Sequence, residues 1–328
     1  MQAVRPYSPE RGPDVELVEW PTPVVGRGEL LLEVAATALN RADLLQLRGL
    51  YPPPEGASPI PGLEVAGVVR DVGPGVTGLS VGDRVMALLS GGGHAQWVAV
   101  PAQQCLRIPP GVTLLEAAAI PEAGITAWLN LMDLGQAHAG ERVLVTGASS
   151  GVGTYAIRLA REFGLEVFAA SRRVERLQET FGPAVRLLEL DEKLGERVFE
   201  ETGGEGVHLV FDLVGGTWVP QLLQVMAPQG RYLLIGLVAG RKAHVDLSLL
   251  LRKQVRWFSS QLRPRSSSEK AKLLRDFAAF ALPRLAAGQL RPVIANVYPW
   301  ERIGQAYSDL ERGGHVGKLV VDLGVGRL

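Results

Sequence analysis

The sequence predicts an α/β protein of two domains, one a small β-barrel or sandwich, the other a parallel sheet wound with helices on both faces. Three observations lead there. The chain has 328 residues, well above the commonest single-domain length. Its first 120 or so residues carry short apolar segments punctuated by Gly and Pro, the pattern of a small all-β unit. From Arg142 onward, apolar runs alternate with helical patterns, as parallel strands joined by crossover helices require.

Composition sets further bounds. Hydrophobic residues make up 47% of the chain, enough for two buried cores. The formal net charge is zero, so nothing draws the whole molecule to nucleic acid or an anionic membrane, although room for a local basic groove remains. The N-terminus lacks a basic-then-apolar leader, and no run of about 18 apolar residues occurs, so a cytoplasmic protein is expected. A lone cysteine, Cys105, excludes disulfides within the chain and a multi-cysteine zinc site; it reads as a buried strand residue. Scarce Asn and plentiful Pro suit a heat-tolerant protein, whereas Lys poverty does not, and high genomic GC content would also explain the excess of Arg. There is no internal repeat.

Strands are expected over 15–20, 29–35, 64–70 and 96–100. A helical insert over 42–48 separates the second from the third, and the Gly49-Leu50-Tyr51-Pro52-Pro53-Pro54 loop after it cannot be helix interior. Residues 116–133 read as two helices split near Pro121. Later strands are expected at 142–145, 165–171, 207–212 and 231–236, then an amphipathic helix over 269–287 and a last strand over 317–322 that returns to the first domain. The domain division is 1–122 and 266–328 for the β-rich part and 123–265 for the parallel sheet.

The stretch Arg142-Val143-Leu144-Val145-Thr146-Gly147-Ala148-Ser149-Ser150-Gly151-Val152-Gly153 reads as strand, tight turn and helix. Small residues there let peptide N–H groups approach a pyrophosphate, and the helix N-terminus adds a partial positive charge. Ala156, Leu159, Ala160 and Phe163 form the apolar stripe of that helix. The next strand ends in Ser171-Arg172-Arg173 rather than an acidic residue, which favours a ribose 2′-phosphate and hence NADPH. The alternative makes both arginines solvated starters of the next helix.

Several stretches together resemble one family: Ala38-Leu39-Asn40-Arg41-Ala42-Asp43-Leu44, Tyr51-Pro52-Pro53-Pro54-Glu55-Gly56-Ala57-Ser58, Gly62-Leu63-Glu64-Val65-Ala66-Gly67, Ala87-Leu88-Leu89-Ser90-Gly91-Gly92-Gly93, Ala118-Ala119-Ile120-Pro121-Glu122-Ala123, Ser150-Gly151-Val152-Gly153-Thr154 and Leu262-Arg263-Pro264-Arg265. In order and over nearly the whole length, they resemble the zinc-free quinone oxidoreductase branch of the medium-chain dehydrogenase/reductases, and within it the tumour-suppressor-inducible group of animals. The resemblance implies a GroES-like β-barrel catalytic domain plus a Rossmann cofactor domain, with the active site in the cleft between them. Where zinc alcohol dehydrogenases of this superfamily have Cys and His, this chain has Asn40 and Leu63, so no metal is expected. Hydride transfer without a Lewis acid needs an acceptor that is already electrophilic. NADPH-dependent reduction of a quinone is the leading expectation, and reduction of an activated alkene (enoyl or alkenal) the alternative. A zinc alcohol dehydrogenase and a structural or nucleic-acid-binding relative are more distant.

By the same resemblance, Asn40 and Tyr51 face the acceptor carbonyl, Asp43 orients their loop, and Tyr51 or water supplies the proton. Each also fits a plain structural role: Asn40 closing a turn, Tyr51 packing on the proline loop, Asp43 supporting a helix start. Expected cofactor contacts are Thr126, Ser150, Gly151, Val152, Ser171, Arg172, Gly236, Leu237, Ser260, Gln261, Leu262 and Arg263. One departure is Leu188-Glu189-Leu190-Asp191, where many relatives cover the adenosine phosphate with Tyr. His94 reads as a solvated loop residue or a cleft residue. The family usually pairs through the edge of the cofactor sheet, so a homodimer is expected, with 231–237 and 256–260 as candidate edge segments.

Overall fold

The computed structural model describes residues 1–10, 12 and 14–325. The chain divides into two compact units, Met1–Ile125 with Leu262–Leu328, and Thr126–Gln261.

The second unit is built on six parallel strands in the order Arg186–Glu189, Glu166–Ser171, Arg142–Thr146, Val207–Asp212, Met226–Leu234, Arg256–Ser259. Numbered along the chain that is 3-2-1-4-5-6, the doubly wound order, which reverses direction between Arg142–Thr146 and Val207–Asp212. Buried Leu144, Phe168, Val210 and Tyr232 come from four adjacent strands and form one core with Leu194, Val198, Leu222 and Leu223 from the crossover helices. Strands buried on both faces carry near-continuous apolar runs, which is why these were legible. The helix Gly151–Glu162 buries Ala156, Leu159 and Ala160 as expected, and also Tyr155 and Ile157. Met226–Leu234 is an interior strand, hydrogen-bonded on both sides, so the expected edge at 231–237 is corrected. The edge is Arg256–Ser259, with Trp257 40% exposed upon it.

The first unit is organised on the ten-residue strand Glu29–Ala38. Its first half pairs with Trp97–Pro101 and its last three residues with Lys318–Asp322, while Glu64–Val72 runs along much of its length. One strand that changes partners midway curls the sheet. Leu30, Leu32 and Val34 alternate into a core with Val65, Val69, Val85 and Val100, the period of two that strand geometry imposes. Cys105 is buried in this core. The final strand does return to the first unit, and a second core joins it to the N-terminal helix Arg41–Leu47 through Leu44, Leu47, Trp300, Tyr307 and Val321. The helices on either side of Pro121 are Leu114–Ala118 and Pro121–Trp128, and the long helix is Ser267–Ala286. No helix among the described residues is long and apolar enough to cross a membrane.

Candidate active site

In the second unit, the switch point of the sheet is held by one buried carboxylate. Asp212 accepts hydrogen bonds from the Thr146 hydroxyl at 2.6 Å, from the Val214 amide at 2.9 Å, from the Gly215 amide and from the Tyr232 hydroxyl. It therefore fixes the ends of the two strands where the strand order reverses. The turn after Thr146 leads into the helix at Gly151, where Ser150 is the N-cap and its Oγ accepts from the Gly153 amide at 3.0 Å. Gly153 has no alternative: a Cβ there would stand 2.4 Å from the Gly147 carbonyl oxygen, so only glycine lets the helix approach the strand so closely.

Several of the expected contacts lie in this unit. Gly236 packs against Leu213, just after Asp212, and its amide lies 3.2 Å from the Asp212 carbonyl oxygen. Asn130 joins Thr126 to Ser260, donating to the Thr126 carbonyl and accepting from the Ser260 hydroxyl, both at 2.8 Å. At the outer strand, Ser171 is buried and accepts from the Arg173 amide at 3.2 Å, while Arg172 and Arg173 are exposed. Glu189, on the neighbouring strand, pairs with Ser171 in register. Asp191 is neutralised by a bidentate pair with Arg197, both contacts 2.7 Å, which removes it as a competing charge. The glycine turn and capped helix start fit the pyrophosphate of a dinucleotide.

In the first unit the expected residues Asn40 and Asp43 belong to a buried charged network. Lys318, from the last strand, donates to Glu64 Oε1 at 2.6 Å, Asn40 Oδ1 at 2.7 Å and the Leu39 carbonyl at 2.9 Å. The Asn40 amide nitrogen donates to Glu64 Oε1 at 2.9 Å and the Ala38 carbonyl at 3.3 Å. Both ends of that amide are thus engaged by the protein. Asp43 accepts from the Asn40 backbone amide at 2.7 Å and the Gly62 amide at 3.1 Å, tying the start of Arg41–Leu47 to the loop before Glu64–Val72. His94 is fully buried, not solvated: Nδ1 lies 2.7 Å from the Tyr307 hydroxyl and Nε2 3.9 Å from Asp43 Oδ2. Burial pulls its imidazole below the ordinary range.

Tyr51 is held by Arg263. The guanidinium lies 5.2 Å above the Tyr51 ring and donates to the Tyr51 carbonyl at 3.0 Å, Gln46 Oε1 at 2.6 Å and the Ser90 carbonyl at 2.9 Å. The immediate work of Arg263, expected among the cofactor contacts, is therefore to fix the Tyr51 loop. Leu262 beside it is buried, Gln261 exposed. Lys270 supports the same corner, donating to the Arg263 carbonyl at 2.7 Å and to Ser90 Oγ. Burial and the nearby Glu122 hold the Tyr51 phenol above its ordinary value, against the pull of Arg263. Glu122 opens the helix Pro121–Trp128, and its amide donates to Glu64 Oε2 at 2.9 Å. Burial first, and then the Glu64 carboxylate, push its own carboxyl up to about 8.

The comparisons with known proteins agree with this architecture. Residues 26–110 match the alcohol dehydrogenase GroES-like domain, and residues 189–321 match the zinc-binding dehydrogenase family. The quinone oxidoreductase from Thermus thermophilus, solved also with NADPH, is 34% identical with a TM-score of 0.81, covering 98% of this chain and 100% of that one. The JamJ enoyl reductase superposes with a TM-score of 0.85 at 26% identity, covering 98% and 99%. A mycocerosic acid synthase-like polyketide synthase of Mycobacterium tuberculosis is 32% identical over 301 residues, 91% of this chain. The chain spans only 14% of that relative's length. Fold and site define a two-domain oxidoreductase with a GroES-like unit and a Rossmann unit for a nicotinamide dinucleotide. The chain belongs to the medium-chain dehydrogenase/reductase superfamily.

The zinc in the name of one matching family does not fit the residues here. Asn40 Oδ1 and Glu64 Oε1 both hold the Lys318 ammonium, Leu63 is apolar and buried, and a second cation at that point would be repelled. Among the described residues no group of three or more His, Cys, Asp or Glu could hold a metal ion.

Glu64, Lys318, Glu122 and Asp212 escaped the reading of the sequence. The signal for the first two was a charge placed directly before an apolar run, at Glu64-Val65-Ala66 and Lys318-Leu319-Val320. Removing one partner of such a pair strands the other in an apolar interior. Lys318→Met or Glu64→Gln alone should cost about 3–5 kcal/mol in denaturant unfolding. The double variant should recover part of that loss, and strictly additive costs would show that the two side chains do not act as a pair.

Proposed function

We propose that this protein reduces an activated alkene, an α,β-unsaturated carbonyl compound, with NADPH as the hydride source. The observation that carries the reading is Tyr51: a phenol whose ring is fixed under Arg263 and whose loop is tied through that guanidinium to Gln46 and Ser90. Hydride addition to a conjugated alkene leaves an enolate whose carbon must be protonated, and a positioned acid accelerates that step about 10²–10⁴-fold. A hydroquinone oxyanion takes its proton from water with little help. The likeness to an enoyl reductase and to polyketide synthases supports the same choice. Quinone reduction is the second reading, favoured by 34% identity to a quinone oxidoreductase matched over its full length.

When bound, NADPH supplies the hydride and nothing else. Ser150, Gly151 and Val152 would hold its pyrophosphate through the helix N-terminus, Thr126, Ser260, Gln261, Gly236 and Leu237 would flank its nicotinamide half, and Ser171 and Arg172 its 2′-phosphate. Leu262 and Arg263 fall in the first unit, where Arg263 serves the Tyr51 loop. Asn40, fixed by Lys318 and Glu64, shapes the acceptor pocket rather than donating a free N–H, and Asp43 keeps its loop in place. The open edge Arg256–Ser259 supports pairing with a second copy of the chain to give a homodimer.

The deciding experiment incubates the protein with NADPH and either an alkenal or a naphthoquinone. Saturation of the carbon–carbon double bond is expected; turnover of quinones alone would transfer the assignment to the second reading, and silence with both would end it. Tyr51→Phe should lower alkene turnover about 10²-fold or more with acceptor KM little changed. Arg172→Ala should weaken NADPH binding about tenfold while leaving NADH binding nearly unaltered, as loss of one charge-assisted contact implies. Equal weakening of both cofactors would place Arg172 elsewhere.

A further inference from the structure

The loop from Tyr51 to Ile60 is poor in donors of its own, because Pro52, Pro53, Pro54 and Pro59 have no N–H to give. Within it the Ala57 amide donates to the Pro54 carbonyl at 3.1 Å and the Ile60 amide to Ser58 Oγ at 3.3 Å, local contacts that do not fix where the loop sits. Its two ends are held from outside, through their carbonyls. At the near end the donor is Arg263, on the Tyr51 carbonyl at 3.0 Å. At the far end it is Gln46, whose Nε2 donates to the Pro59 carbonyl at 2.7 Å.

Gln46 serves both ends at once. It lies in the helix Arg41–Leu47 with only 3% of its surface exposed, and while Nε2 holds Pro59, Oε1 accepts at 2.6 Å from the same guanidinium that holds Tyr51. A third segment closes the circuit: Arg263 donates to the Ser90 carbonyl at 2.9 Å, and the Gly92 amide to the Ile60 carbonyl at 2.7 Å. Gly91, between them, lies so near the loop that a Cβ there would stand 2.5 Å from the Ser58 carbonyl oxygen. Gln46, Arg263, the turn 90–92 and the far end of the loop thus form a ring of hydrogen bonds to which Tyr51 is tethered. The directions select the residue type. This position needs an acceptor toward the guanidinium and a donor toward the Pro59 carbonyl, and a Gln amide offers both. Glu would turn a second acceptor on that carbonyl, and Met would leave both partners unmet in a buried place.

We propose, resting on the alkene-reduction reading, that Gln46 is a positioning residue for the reaction: by fastening both ends of the proline loop it fixes where the Tyr51 hydroxyl stands when the enolate carbon is protonated. In that step the Tyr51 O–H bond breaks as the α-carbon C–H bond forms, and water reloads the phenolate. Both ends of the Gln46 amide are spent on Arg263 and Pro59, so it acts through them and not on the acceptor. A small misplacement of a reacting group costs rate more than it costs binding.

Kinetics and hydrogen exchange on the intact protein test this. Gln46→Met should lower alkene kcat about 10-fold or more, with acceptor KM and NADPH Kd each changed less than about twofold. In the Tyr51→Phe background the same substitution should change kcat less than about twofold, because the group it positions has gone. Gln46→Glu still accepts from Arg263 and should recover part of kcat; should the Met variant not fold, the Glu variant carries the same cycle with a smaller loss. Hydrogen exchange read by mass spectrometry over residues 49–62 should be faster in either variant than in the wild type. Losses that multiply in the double variant, or exchange no faster than in the wild type, would overturn the proposal while alkene reduction stands. If the wild type reduces no alkene, or Tyr51→Phe turns over at the full rate, the functional reading fails instead, and the exchange measurement alone decides whether Gln46 clamps the loop.

Discussion

The first unit depends on a buried ammonium with every proton accounted for. Lys318 has three donors, and Leu39, Asn40 and Glu64 supply three acceptors within 2.9 Å. Desolvating an ammonium and a carboxylate costs several kcal/mol each, so the pair is tolerable only because the remaining positions of Glu64 are filled by Asn40 and the Glu122 amide. The network ties together residues as far apart in sequence as 40 and 318. It joins the last strand, the strand Glu64–Val72, the start of Arg41–Leu47 and the start of Pro121–Trp128. Three consequences follow from one charge: the Asn40 amide has a fixed direction, the Glu122 amide is anchored to Glu64, and a metal cation is excluded by charge from this position.

Each unit places its loops by the same device, a buried carboxylate that collects polar hydrogens from several chain segments. Asp43 gathers the amides of Asn40 and Gly62, and Asp212 gathers two amides and two hydroxyls at the end of the cofactor sheet. An ionised acceptor makes stronger hydrogen bonds than a neutral one, and in a low-dielectric interior that difference grows. A few such bonds can therefore hold loops that must remain open to ligands.

What was legible in the sequence was whatever has a period or a small-residue signature. The parallel strands announced themselves as apolar runs, the phosphate turn as Gly147 to Gly153, and the helix at Gly151 by its stripe. Short strands were lost: Gln2–Val4, Arg84–Leu88, Arg186–Glu189 and Ile294–Pro299 are too brief or too mixed for alternation to register. The error over 231–237 has a similar origin, since an interior strand and a covered edge strand are both apolar and only pairing partners distinguish them. His94, in a loop after three glycines, read as solvated or as entering the cleft, yet Gly62 approaches the same backbone so closely that a Cβ there would stand 2.4 Å from the His94 nitrogen, and the side chain is fully buried. Lys318 and Glu64 are 254 positions apart, and no local pattern can pair residues at that distance. Asn40 and Tyr51 were expected at the acceptor from motif likeness alone, and likeness did not reveal that the amide of Asn40 is already occupied.

The full-length match to both a quinone oxidoreductase and an enoyl reductase, with TM-scores of 0.81 and 0.85, means that backbone shape does not choose the acceptor. The cofactor unit supports this, because backbone amides and glycines at its turn would serve any hydride acceptor equally. Choice must then lie in side chains of the first unit, and the chemical distinction available to them is where the second proton goes. Oxygen protonates readily, whereas carbon in an enolate protonates slowly without an acid held in place. On the proposed alkene reading, a phenol whose loop is clamped through Arg263 serves the harder of the two protonations. Substituting the groups that supply protons, with the fold left alone, would move such a scaffold from one acceptor class toward the other.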